Sequence, residues 1–101
     1  MTLTKIILLP LLTGTMLFAS SGASLYKKDC KSCHGANGEK KALGKSKVIK
    51  GMSVASIEKA MHDYVSGKRK SVAIAKKMKK SFMKKRSKEE LHAVSKYIHG
   101  L

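Results

Sequence analysis

Two cysteines three positions apart, with a histidine directly after the second, are the residues of this chain best suited to chemistry: Cys30-Lys31-Ser32-Cys33-His34. On one helical turn, two thiols at that spacing reach the two vinyl groups of a single porphyrin and form thioethers. The adjacent imidazole is then held under the iron as an axial ligand. A redox C-x-x-C pair would need a strand before it and a helix after it. Here Leu25-Tyr26-Lys27-Lys28-Asp29 precedes it, has no β-branched run and reads as a helical turn. A zinc site would need two further ligands at regular spacing, and His62, His92 and His99 supply no obvious pair. Covalent attachment of a c-type haem is the chemistry that uses all three motif residues.

The rest of the composition bounds what can surround such a group. At 101 residues the chain forms one small domain, which excludes a two-domain enzyme built around a large cleft. Two cysteines cannot build a disulfide framework or a four-cysteine zinc site. Residues 1–23 read as a signal peptide: Lys5 starts it, an apolar stretch runs from Ile6 to Ala19, and small residues follow through Ala23. Cleavage is expected after Ala23, with Ser21 as the alternative, leaving residues 24–101 as the exported, periplasmic domain. No run of 18 apolar residues suggests a membrane span, so no stable membrane insertion is expected after cleavage. A domain of this size buries too little apolar surface to be comfortably stable alone, and a large bound cofactor would supply the deficit.

Apolar spacing places the elements. Gly35, Asn37-Gly38, Gly44 and Gly51 mark residues 35–55 as mostly loop with at most a short helical turn. Ser56 is expected to cap a helix bearing Ile57, Ala60, Met61, Tyr64 and Val65, ended by Gly67. Residues 72–85 carry Val72, Ala75, Met78 and Phe82 as an apolar stripe. Ser87 and Glu90 form a capping box opening a last helix with Leu91, Val94, Tyr97 and Ile98 on one face, ending at Gly100. Strand signals are weak throughout, and the domain reads as all-α.

Leu25-Tyr26-Lys27-Lys28, Cys30-x-x-Cys33-His34-Gly35-Ala36-Asn37-Gly38, Lys41-Ala42-Leu43-Gly44-Lys45-Ser46-Lys47 and Ser87-Lys88-Glu89-Glu90-Leu91 with Tyr97-Ile98 together resemble the small monohaem class I cytochromes c of bacterial periplasms. The resemblance covers residues 25–101 and is most specific in the first third. It implies four or five helices around one covalently attached haem c, a His/Met-ligated iron and single-electron transfer without enzymatic turnover. It also implies that the first and last helices cross near the haem. Here that pairs Leu25 and Tyr26 with Val94, Tyr97 and Ile98, the tyrosine rings filling the core and their hydroxyls sitting at the rim. Many members have a Pro after the haem motif whose carbonyl accepts from the proximal histidine. Val48 takes that place here, with its carbonyl still available.

The resemblance places the second axial ligand shortly before the last helix. Met78 stands nine residues before Ser87 and Met83 four. Met78 fits with one extra residue in the intervening segment, whereas Met83 would need a deletion, so Met78 is expected and Met83 is the alternative. Met61 reads as core, and Met52 sits too soon after the motif to reach the far face. His62, His92 or an open sixth position remain as further readings, and an open or bis-His iron would suit a sensor or small-ligand binder instead of a carrier.

Charge supplies the last expectation. The chain has 22 Lys plus Arg against 6 Asp plus Glu, a formal net charge of +16. Between Lys76 and Lys88, eight of 13 residues are basic and none is acidic. Part of that charge is a solvated face that keeps a small protein soluble. Beside an exposed haem edge it is also a docking surface: Lys76, Lys77, Lys79, Lys80, Lys84 and Lys85 would steer a monomeric carrier to acidic-surfaced redox proteins in transient encounters. Nucleic acid is not an expected partner, because export argues against it and the interleaved aromatics that stack on bases are missing. A basic amphipathic membrane-surface protein is the remaining alternative, from residues 72–86, but it leaves the C-x-x-C-H unexplained.

Overall fold

The computed structural model describes residues 21–44 and 47–101. The signal segment, apart from its last three residues, lies outside the described residues. Helices α1 (Gly22–Asp29), α2 (Lys31–His34), α3 (Val54–Ser66), α4 (Ala73–Lys85) and α5 (Lys88–His99) follow one another, with a 3₁₀ turn at Ala42–Gly44 between α2 and α3. Among the described residues there is no strand, as the sequence predicts.

Local chemistry sets the helix ends. Ser87 accepts from the Glu90 backbone N–H at 3.0 Å, and the Glu90 carboxylate accepts from the Ser87 N–H at 3.0 Å, which is the expected capping box. Helix α3 ends where Gly67 turns left-handed at φ 85°. Its start differs from the sequence expectation. Ser53 is the cap, and Ser56 lies inside the first turn, donating its N–H to the Ser53 hydroxyl at 3.1 Å. Both serines precede the apolar positions by a workable distance. The earlier one wins because its turn adds hydrogen bonds while Ile57 keeps its inward place.

Packing begins with α1 lying across α5. Leu25 and Tyr26 of α1 and Leu91, Val94 and Ile98 of α5 are all buried, joined by Ile57 from α3 and Phe82 from α4. The rings of Tyr26 and Tyr97 meet at 5.4 Å between centroids, tilted by 46°. Gly22 allows the close approach at the start of this crossing: a Cβ there would fall inside the van der Waals envelope of the Ala93 carbonyl oxygen. Gly22→Ala is therefore expected to destabilise the folded domain by about 1–3 kcal/mol, the usual cost of overpacking. A thermal melt beside the unsubstituted protein checks this, and an unchanged midpoint would contradict the close crossing.

Helix α4 is rotated from its expected phase. Its buried and half-buried positions include Ala75, Lys79, Phe82 and Met83, continuing to Arg86, whereas Val72 and Met78 are exposed. The inward stripe thus passes through Lys79 and not through Met78. A lysine can occupy such a place because its long aliphatic stem packs against apolar neighbours while the charged end finds a polar or aromatic seat.

Candidate haem-attachment site

Cys30 is the joint between α1 and α2. Its N–H bonds the Tyr26 carbonyl at 2.9 Å, closing α1, while its own carbonyl accepts from the N–H groups of Cys33 at 3.3 Å and His34 at 3.0 Å. Those bonds put both sulfurs and the imidazole on one short turn. Gly35 ends the turn at φ 87°, a left-handed region that suits glycine. The Tyr26 hydroxyl donates to the Gly35 carbonyl at 2.6 Å, so α1 and the end of the motif are fastened together. Tyr26 is fully buried, and burial holds its phenol above the ordinary tyrosine range. Its hydroxyl was expected at the rim. It lies inside, where a buried donor must find an acceptor. Tyr26→Phe removes the hydroxyl that fastens α1 to that carbonyl and is expected to cost about 1–2 kcal/mol of stability, measurable as a lowered thermal midpoint with haem still attached.

The loop after the motif folds back over it. Lys40 N–H bonds the His34 carbonyl at 3.0 Å, Lys50 N–H bonds the Gly38 carbonyl at 3.0 Å, and Gly51 N–H reaches the Ile98 carbonyl of α5 at 3.2 Å. Helix α4 is fastened at its far end, where Arg86 donates Nε at 3.2 Å and Nη2 at 3.1 Å to Asp29 Oδ2, beside Cys30.

The chemical state of the three motif residues follows from this setting. Cys30 is half-buried and Cys33 is exposed. Burial pushes the Cys30 thiol up to about 11, with the Asp29 carboxylate adding to the shift. Burial, reinforced by the nearby Lys79 ammonium, lowers His34 to about 4, so its imidazole is neutral at pH 7 and its ring nitrogen can give an electron pair to iron. Its Nδ1 is buried and has no hydrogen-bond partner. The Val48 carbonyl, available in the sequence, does not receive it.

These residues fit a porphyrin better than a bare metal. Among the described residues no three His, Cys, Asp or Glu side chains gather to hold a metal ion. Large apolar side chains stand exposed: Leu43 on the 3₁₀ turn, which packs against α2, and Ile74 and Met78 on α4. A flat apolar ring carrying its own four nitrogens would cover such side chains and needs from the chain two thiols and axial donors. Haem bound there supplies a one-electron iron couple.

Met78 is 55% exposed, whereas Met52, Met61 and Met83 pack partly buried against the core. His92 Nδ1 lies 2.9 Å from Glu58 Oε2, and His62 and His92 line a shallow groove with Glu58 and Leu91 that no motif residue shares. Of the expected docking lysines, Lys77, Lys80, Lys84 and Lys85 are exposed, and Lys76 and Lys79 are half-buried. Lys79 is also the residue whose place sequence reasoning missed, since a pattern that counts lysine as polar assigns it to the solvent face.

The chain matches the cytochrome c family model over residues 19–101. The chain belongs to the cytochrome c family. It is 39% identical over 92 residues to a cytochrome c-553 of Helicobacter pylori strain ATCC 700392 / 26695, covering 87% of this chain and 91% of that protein. A cytochrome c-553 of Nitratidesulfovibrio vulgaris is 36% identical over 84 residues, covering 82% of this chain and 78% of the relative. Membership makes the group covalently bound haem c and the protein a small haem-binding electron carrier of the class I type, as the motif and the all-helical fold suggest. Among the described residues no helix is long and apolar enough to cross a membrane.

Proposed function

We propose that this cytochrome is a periplasmic one-electron shuttle whose haem is bonded through Cys30 and Cys33 and whose iron is ligated by His34 and Met78. The observation that carries the reading is the single turn on which both thiols and a neutral, half-buried imidazole are presented together. Support for Met78 over Met83 is its freedom: Met83 is used in the core, while the Met78 thioether is uncommitted on the helix that borders the motif. The bis-His alternative is weakened by the engagement of His92 with Glu58. A spectroscopic redox titration of the haem-loaded protein tests the reading. A single one-electron wave, with carbon monoxide binding slowly or not at all, is expected. Rapid carbon monoxide binding would favour an open iron site.

The exposed lysines of α4 are the proposed docking face for acidic-surfaced redox proteins. Three of the six carboxylates are engaged away from these lysines: Asp29 by Arg86, Glu58 by His92 and Asp63 by Lys59. Electron exchange with an anionic redox protein should slow at least ten-fold between roughly 10 mM and 200 mM salt, as screening shortens the reach of the field. Stopped-flow mixing measures this, and a flat salt profile would remove the docking role.

Export by cleavage of the amino-terminal segment completes the proposal. One feature supports a cut after Ser21 over one after Ala23: Gly22 packs directly on the Ala93 carbonyl. Either cut removes the Ser21 hydroxyl that caps the Gly22–Asp29 helix. The mass of the periplasmic protein distinguishes the two.

A further inference from the structure

Only two of the 22 basic residues are arginines, and the fold places them differently. Arg86 is committed within the chain, to Asp29. Arg69 lies exposed in the turn between α3 and α4, and among the described residues it pairs with no carboxylate. Its guanidinium sits over the Tyr64 ring of α3, with Cζ 5.4 Å from the centroid. Its backbone N–H donates to the Asp63 carbonyl at 3.1 Å, so the chain beneath the side chain is pinned as well. The Asp63 carboxylate is itself bonded to Lys59 at 2.6 Å. That hydrogen bond first, and the charges of Lys68 and Arg69 after it, hold Asp63 below the usual carboxylate range. The Lys79 ammonium approaches the same ring at 4.8 Å, which puts Arg69 at the border of the lysine face of α4. From Tyr64 to Lys88 the sequence has no acidic residue.

We infer that Arg69, seated on Tyr64, is the specificity-determining contact of the docking face, receiving a surface carboxylate of the acidic redox partner in a bidentate ion pair. This rests on the docking reading above and divides the work within it. A lysine ammonium is a point charge on a flexible stem, which attracts a partner and fixes no orientation. A guanidinium presents a planar fork of N–H donors that matches the two oxygens of a carboxylate. The aromatic seat adds to that difference. The ring quadrupole attracts the cation, and a side chain already held in place loses less freedom when a partner arrives. The lysines of α4 thus bring the partner in, and Arg69 sets how it sits.

The test titrates the haem-loaded ferric protein with oxidised flavodoxin, an acidic redox protein, as the probe, so that no electron moves and binding alone is read. Arg69→Lys keeps the charge and removes the fork. It is expected to raise Kd about five-fold at low salt. The slope of log Kd against log salt should stay as in the unsubstituted protein, because the number of charges is the same. Lys80→Gln, on the exposed side of α4, should instead flatten that slope. Tyr64→Leu removes the seat and should raise Kd as Arg69→Lys does, whereas Tyr64→Phe keeps the ring and should bind like the parent. Arg69 is exposed, so Arg69→Lys carries the test even where Tyr64→Leu fails to fold. An unchanged Kd in Arg69→Lys, beside a steep salt slope in the unsubstituted protein, overturns this inference and leaves the docking reading standing. An unchanged Kd in folded Tyr64→Leu overturns the role of the seat. A flat salt slope in the unsubstituted protein overturns both the docking reading and the inference built on it.

Discussion

Replacing Cys30 and Cys33 together with alanine should give a polypeptide that retains no haem after denaturing extraction and shows no cooperative thermal transition. The reason is the size of the interior. Among the described residues, the buried apolar side chains are Leu25, Tyr26, Ala42, Ile57, Phe82, Leu91, Val94 and Ile98. A core of that size supplies on the order of 3–5 kcal/mol at best. The exposed Leu43, Ile74 and Met78 contribute only when something apolar covers them. Removing the covalent anchor is therefore expected to remove about the whole folding free energy of the domain, on the order of 5 kcal/mol. The single variants should differ in degree, each holding haem through one thioether. Circular dichroism melts and haem staining of denatured protein measure both effects. A double variant that melts cooperatively near the parent temperature would show that the polypeptide folds without its cofactor.

Met78→Ala should abolish the weak far-red band that a Met–iron bond gives the ferric protein. It should also lower the reduction potential by on the order of 100 mV or more, within the roughly 0.8 V range that axial ligands command. A thioether favours ferrous iron relative to water or a second imidazole, so its loss moves the couple in that direction. Met83→Ala should act differently. Its side chain packs against Phe82 and its neighbours in the core cluster, so the expected loss is about 2–4 kcal/mol of stability with the band retained. If the band survives Met78→Ala and disappears in Met83→Ala, the ligand assignment reverses.

The parts of the fold that were legible in the sequence are those set by local chemistry. The capping box at Ser87 and Glu90, the glycine end of α3 and the helical turn carrying Cys30, Cys33 and His34 each depend on residues within four positions of one another. The α1–α5 crossing could be anticipated through Leu25, Tyr26, Val94 and Ile98 because the family resemblance pairs those helices. What escaped was decided by tertiary neighbours. The Tyr26 hydroxyl turns inward because the Gly35 carbonyl lies nine residues away in sequence and only 2.6 Å away in space. The phase of α4 was misread because hydropathy treats Lys79 as solvent-facing, although its stem packs inward and its charge finds the Tyr64 ring. Val48 could not be placed from its sequence position alone, since a loop carbonyl's direction depends on backbone angles that no side-chain pattern encodes.

The most direct test is the intact mass of the protein made in a host that attaches haem to C-x-x-C-H motifs, taken with its pyridine haemochrome spectrum after denaturing extraction. The account predicts a mass greater than that of the processed polypeptide by one haem, with the absorption of a twice-bonded haem remaining in the protein fraction. A mass equal to that of the bare polypeptide, with no visible absorption, would contradict it.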